Sequence, residues 1–147
     1  AASAPPLRAS EAYLFACKRE GTECVLEFLN ALNSGAREIA LTQRSVPLTD
    51  ADVMCIAEAL RTPKHPLRVL NLEENNFGLT GVQALIEALV SNPGCLRELR
   101  MGKNRLKDPS AVVIGNALSI AGCGVKVLDL SENFITKLGV MALTQAI

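Results

Sequence analysis

Three nine-residue stretches return in register along this chain: LRVLNLEEN from Leu67 to Asn75, LRELRMGKN from Leu96 to Asn104, and VKVLDLSEN from Val125 to Asn133. Their starts, at 67, 96 and 125, are 29 residues apart each time. Self-similarity at one fixed period of about 20 to 50 residues predicts a solenoid, in which each repeat is a supersecondary unit that buries its apolar face only by stacking on its neighbours.

A second periodicity runs between these stretches. Val25, Phe28, Ala31 and Leu32 form one stripe of a helix, and so do Val53, Ile56, Ala59 and Leu60. The stripe returns as Val82, Leu85, Ala88 and Leu89, as Ala111, Ile114, Ala117 and Leu118, and as Val140, Leu143, Ala146 and Ile147. This register predicts five helices sharing one face, with the recurring Ala letting each lie close to the next. Between them, Ile39 and Leu41, Leu70 and Leu72, Leu99 and Met101, and Leu128 and Leu130 alternate with period two, which predicts four short, half-buried strands.

A repeated strand–loop–helix unit with parallel strands must coil right-handedly. The expected fold is an α/β solenoid: a parallel sheet on the concave side of a horseshoe and α-helices on the convex side. Asn75, Asn104 and Asn133 close the three regular strands, where a side-chain amide satisfies backbone groups in the turn leaving the sheet. They are read as a structural asparagine ladder. In the first repeat Arg44 takes that place, the following loop is longer and holds Pro47, and an irregular edge repeat is expected.

Residues 1–21 are read as an N-terminal arm and capping helix, and residues 22–147 as the repeat domain, with about four repeats. Ser10 is the expected N-cap of a helix from Glu11 to Arg19 that buries Tyr13, Leu14 and Cys17; Gly21 ends it. Thr22 is expected to cap a second helix, Glu23 to Leu32, the first of the array. The array reaches Ile147 without a polar cap, which predicts a longer parent protein, a covering tail, or self-association through this end.

Charge narrows the function classes. Lys plus Arg equals Asp plus Glu at 15 each, so no net basic excess serves a nucleic-acid backbone. No apolar run is long enough to cross a bilayer. The five cysteines, Cys17, Cys24, Cys55, Cys95 and Cys123, are odd in number and contain no C-x-x-C pair, which speaks against a metal site or a disulfide framework and for buried, reduced thiols. The expected location is cytoplasmic, in the cytosol or on the cytoskeleton, with the nucleus also compatible. No glycine-rich phosphate loop, Ser-His-Asp set or paired catalytic carboxylates occur, so neither catalytic residues nor a cofactor are expected. His65, in a loop between Lys64 and Pro66, reads as solvated.

The full unit, LRVLNLEENNFGLTGVQALIEAL from Leu67 to Leu89 and VKVLDLSENFITKLGVMALTQAI from Val125 to Ile147, resembles the ribonuclease-inhibitor-type subclass of leucine-rich repeat, over about Thr22 to Ile147. The resemblance implies an intracellular protein that binds another protein through the concave sheet and the loops leaving it. It also leaves open a GTPase activator resembling the Ran activator, which works through loop residues that complete another protein's active site. Within that frame the outward strand residues form columns. Ala40, Asn71, Arg100 and Asp129 make one, Thr42, Glu73, Gly102 and Ser131 the next, and Gln43, Glu74, Lys103 and Glu132 the third.

At about 4.8 Å between strands, Arg100 reaches Asp129, and Lys103 reaches Glu74 or Glu132. Val69 and Val127 offer either a small apolar contact or residues that merely suit a strand. The expected partner-binding face is thus Val69, Asn71, Glu73, Glu74, Arg100, Lys103, Val127, Asp129 and Glu132. Arg37, Arg68, Arg97 and Lys126 form a further, basic column, either facing an acidic partner or balanced by Glu38, Glu98 and nearby acids; the balanced reading is the plainer one.

Overall fold

A computed structural model describes residues 7–119 and 124–145. The arm before residue 7, Cys123, and the stripe positions Ala146 and Ile147 lie outside the described residues. The elements follow in the order α1 (Ala9–Glu20), α2 (Leu26–Ser34), β1 (Glu38–Ala40), α3 (Asp50–Leu60), β2 (Val69–Asn71), α4 (Leu79–Ser91), β3 (Glu98–Arg100), α5 (Asp108–Leu118), β4 (Val127–Asp129) and α6 (Lys137–Gln145). The strands make one parallel sheet in chain order, with Ile39, Leu70, Leu99 and Leu128 in line across it. Helices α3 to α6 stack successively on the other side. This is the expected α/β solenoid, built from an aliphatic core in which Leu70, Leu72, Leu99, Met101, Ile56 and Leu85 are fully buried.

Several local expectations are corrected. Helix α1 begins at Ala9, one residue ahead of the expected cap Ser10, and Glu11 reaches back to accept the Arg8 N–H at 3.2 Å. Its buried face is Tyr13, Ala16 and Cys17, while Leu14 is exposed. Gly21 does end the helix, in the left-handed conformation at φ 67° that a residue without Cβ adopts freely. Helix α2 starts at Leu26 with Val25 as its N-cap, three residues later than expected, and Thr22 instead donates its hydroxyl to Asp52 Oδ1 at 2.9 Å.

The larger correction concerns which helix begins the convex layer. It is α1, not α2, that packs on α3, while α2 lies against α1 and β1. The two N-terminal helices are locked by Tyr13, whose ring meets Phe28 edge-on at 4.8 Å between centroids and whose hydroxyl accepts the Val25 N–H at 2.7 Å. The boundary drawn after residue 21 therefore falls between two helices of one packing unit.

The last helix is also less covered than its stripe implied: Val140 is 53% exposed, and Leu138, Met141 and Phe134 are exposed with it. Leu128 is only partly buried because its strand, β4, is the sheet edge.

The four cysteines among the described residues are free, with Cys17, Cys55 and Cys95 buried and Cys24 half-buried. Burial pushes the Cys17, Cys24 and Cys55 thiols up from their ordinary value. His65, read as solvated, is buried instead; its Nδ1 accepts the Leu67 N–H at 3.2 Å between the end of α3 and the start of β2. Burial, and then the nearby Arg68 charge, hold its pKa below the ordinary 6.5.

A depressed folded-state pKa means that the unfolded chain binds the proton first. The stability held in His65 is thus complete above about 6.5 and is lost as the pH falls toward the lower folded value. His65 is the single histidine of the chain. The melting temperature should therefore fall between about pH 7 and pH 5, and His65→Asn, which keeps an acceptor near the Nδ1 position, should flatten that slope. An unchanged slope in the variant would assign the titration elsewhere.

Candidate protein-binding face

Each regular repeat leaves the sheet by the same turn, and that turn fixes which side chains face outward. Residue eight of every repeat lies in the left-handed region: Gln43, Glu74, Lys103 and Glu132 have φ of 53°, 59°, 55° and 53°. These positions were grouped with the strand columns; the structure places them in the turn beyond the strand. Holding a non-glycine residue there costs about 1–2 kcal/mol and requires a surrounding scaffold.

The asparagines of residue nine are that scaffold. Asn75 Oδ1 accepts the Leu48 N–H at 2.8 Å, and Nδ2 donates to the carbonyls of Leu41 and Leu72 at 2.8 and 3.0 Å. Asn104 Oδ1 accepts the Asn75 N–H at 3.1 Å, and Asn133 Oδ1 accepts the Asn104 N–H at 2.9 Å. Each side chain thus ties its own turn to the preceding repeat. In the irregular first repeat Arg44 makes no such link and pairs with Glu27 at 3.0 Å.

Residue five plays a second local role in two repeats. Asn71 Oδ1 accepts the Glu73 N–H at 3.0 Å, and Asp129 Oδ1 accepts the Ser131 N–H at 2.9 Å. These bonds to the residue two ahead bend the chain into the turn. The Ser131 bonds, more than the facing Arg100, hold the Asp129 carboxyl below the ordinary carboxylate range.

On this frame the expected cross-strand pairs are present. Arg100 donates to Asp129 Oδ2 at 3.5 Å and, along its own strand, to Glu98 Oε2 at 2.9 Å. Lys103 Nζ lies 3.3 Å from Glu132 Oε2 and 3.7 Å from Glu74 Oε1. Glu98, Glu132 and their neighbours raise the pKa of both cations. The centre of the face is a shallow depression bounded by Glu38, Val69, Asn71, Glu98 and Arg100.

Val69 and Val127 do not combine into an apolar contact, because Glu98 stands between them in register. Glu98 is taken by Arg100, and among the described residues no carboxylate lies within 4.0 Å of the charged atoms of Arg37, Arg68, Arg97 or Lys126.

Two aspartates with a joining role escaped the sequence reading. Asp50, in the first turn of α3, accepts the N–H groups of Gly78 and Gly81 at 2.8 Å each, capping the next helix. Asp108 repeats this in α5, taking the Thr136 N–H at 2.7 Å and the Thr136 hydroxyl, and those bonds hold its carboxyl low. A Cβ on Gly81 would stand 2.9 Å from Asp50 Oδ1, so glycine is what admits the carboxylate. The signal was the recurrence of Asp at the first helical turn of alternate repeats, each followed about one repeat later by a glycine.

Parallel strands with outer helices, turned by asparagines one repeat apart, make the leucine-rich repeat solenoid fold. A family model described as "Leucine Rich repeat" matches residues 64–85 and 123–143. Among curated proteins, the chain is 29% identical to RAN GTPase-activating protein 2 of Arabidopsis thaliana over 68% of its length and 18% of that protein's. It is 35% identical to human NACHT, LRR and PYD domains-containing protein 14 over 78% of this chain and 10% of that one. It is 28% identical to the pig ribonuclease inhibitor over 80% of this chain and 31% of the inhibitor. It thus spans less than a third of each of these relatives.

Among solved structures, the actin-binding site 2 of leiomodin-1 superposes with a TM-score of 0.72 over 85% of this chain and 73% of that one. At 14% identity that likeness shows the fold alone. No helix among the described residues is long and apolar enough to cross a membrane.

Proposed function

We propose that this chain is a non-catalytic interaction module that binds a protein partner through the concave sheet and the turns leaving it, within a larger cytoplasmic scaffold, cytoskeletal or sensor protein. The observation that carries the reading is the central ion-pair set. Arg100 is held by Glu98 of its own strand and Asp129 of the next, and Lys103 by Glu74 and Glu132 of the repeats on either side, so the face presents polar groups already positioned, which lowers the ordering cost of docking. Relatives named as NACHT, LRR and PYD proteins and as a ribonuclease inhibitor support a binding role. The buried, free thiols of Cys17, Cys55 and Cys95 suit a reducing compartment.

The experiment is capture of a partner, followed by titration with the Arg100→Glu, Lys103→Glu double variant. Charge reversal at two partly exposed sites should weaken binding by at least about ten-fold while leaving the fold intact. Undiminished affinity would move the interface off the concave face.

The 29% identity to RAN GTPase-activating protein 2 favours one second reading, that of an activator of GTP hydrolysis. Accelerated hydrolysis by any of a panel of small GTPases, with this chain in catalytic amount, would replace the first reading with the second.

A further inference from the structure

Four cations stand in line on the rim where the chain enters the sheet. Arg68 N and Val69 N both donate to the Arg37 carbonyl, at 2.6 and 3.1 Å; Arg97 N and Glu98 N repeat this on Arg68, and Lys126 N and Val127 N on Arg97. The bonds fix Arg37, Arg68, Arg97 and Lys126 one above the other, about 4.8 Å from strand to strand. Arg37, Arg97 and Lys126 are exposed and Arg68 is half-exposed. Arg68 Nη1 donates to the Leu67 carbonyl at 3.0 Å and Arg97 Nη1 to the Gly124 carbonyl at 3.2 Å, which orients the guanidinium groups and leaves most of their donors free.

Like charges at this spacing repel, and the ion pairs of the neighbouring face exclude the column: Glu98 goes to Arg100, and Glu132 and Glu74 go to Lys103. In a chain of formal net charge +0, four cations thus stand along one edge with no ion pair of 4.0 Å or less among the described residues.

We infer that this rim is a docking strip for an extended acidic segment of a partner protein, lying across the strands. The inference rests on the protein-binding reading and adds a second contact to it. The four cations span about 14 Å, three strand spacings, and an extended peptide places alternate side chains about 6.8 Å apart, so three acidic residues on one side of the segment match the strip. Each carboxylate can be met by guanidinium donors from two levels of the column, and Arg is suited to that forked pairing. A nucleic acid fits less well, because its backbone carries a charge at every nucleotide and sets some of them against Glu38 and Glu98, which immediately follow Arg37 and Arg97, whereas a segment charged only at alternate residues keeps its carboxylates on the column side.

The test is fluorescence anisotropy of the full chain with a labelled peptide of alternating Ser and Glu, about eight residues long, beside the matching Ser/Lys peptide and an oligothymidylate of similar length. At about 50 mM salt the acidic peptide should bind, and salt should weaken it steeply. Arg37→Glu with Arg68→Glu should weaken it by at least about ten-fold. Arg37→Gln with Arg68→Gln should do so in the same direction if the reversal perturbs folding. Arg105→Glu with Lys107→Glu, exposed cations away from the column, should leave binding unchanged. The peptide assay reads the rim, whereas the Arg100→Glu, Lys103→Glu variant is read on the captured partner, so failure of the concave-face reading and failure of the rim are scored separately. No binding of the acidic peptide, equal loss in the Arg105 and Lys107 variant, or tighter binding of the oligothymidylate overturns the inference.

Discussion

Asn104→Ala should lower the unfolding free energy of this chain by about 3 kcal/mol or more, out of proportion to the loss of a few atoms. Asn104 is 2% exposed. Its Oδ1 accepts the Asn75 N–H, and its Nδ2 donates to Leu72, Met101 and Gly102 at 2.9, 3.2 and 3.0 Å. Two of those carbonyls have a second asparagine donor, Asn75 for Leu72 and Asn133 for Met101, and Gly102 also accepts the Glu74 N–H. Truncation therefore strands chiefly the Asn75 N–H.

A buried donor without a partner costs about 1–3 kcal/mol, and each lost hydrogen bond about 0.5–1.5 kcal/mol. The left-handed turn at Lys103 then loses the group that holds it. Asn133→Ala should cost less, because Asn133 is itself only part-buried and its turn follows the edge strand β4, where the chain can relax around Asn104 N and Leu106 N. Equilibrium urea unfolding of both variants measures the difference. Equal losses, or a loss below about 1 kcal/mol at Asn104, would show that the turns are held by strand pairing instead.

What the sequence made legible follows from how each feature is encoded. Repeat period, strand order and core positions are written in side chains whose partner is always the same residue one repeat on, so a single interval exposes them all. The N-terminal pair is different. Val25 to Leu32 carries the array's stripe because Phe28 and Leu32 need burial wherever α2 lies. The distinguishing sign is the connection: α2 ends at Ser34 and β1 starts at Glu38, whereas α3 ends at Leu60 and β2 starts at Val69. The short connection keeps α2 beside the sheet end, and α1 takes the outer layer. His65 misled for a related reason, since Lys64 and Pro66 mark a loop but not a loop enclosed between layers.

Ion-pair choice was only half legible. The sequence shows which acids are within reach of Arg97, but it does not show that Arg100 claims Glu98 first. Left-handed turns at Glu74, Lys103 and Glu132 were invisible because no glycine announces them; the asparagine that follows supplies the stabilisation glycine would otherwise make unnecessary.

The sheet edge sets up the second large effect. Leu99 and Leu128 occupy the same repeat position and were expected to be equally buried, so equal penalties would follow from sequence alone. The structure separates them: Leu99 is 1% exposed between β2 and β4, whereas Leu128 is flanked on one side only. Leu99→Ala should cost about 2–5 kcal/mol, combining lost transfer energy with a cavity that layers on both sides keep from collapsing. Leu128→Ala, measured on the same 147-residue chain, should cost distinctly less, because solvent already reaches the site and the edge can relax. Glu87→Ala, on the exposed face of α4, removes only a surface pair with Arg61 at 3.2 Å and should change stability by less than about 1 kcal/mol. Chemical denaturation should therefore rank the three as Leu99, Leu128, Glu87. A Leu128 penalty as large as that of Leu99 would mean that β4 is covered in solution, and sedimentation of the same sample would then decide whether a second copy of the chain provides the cover.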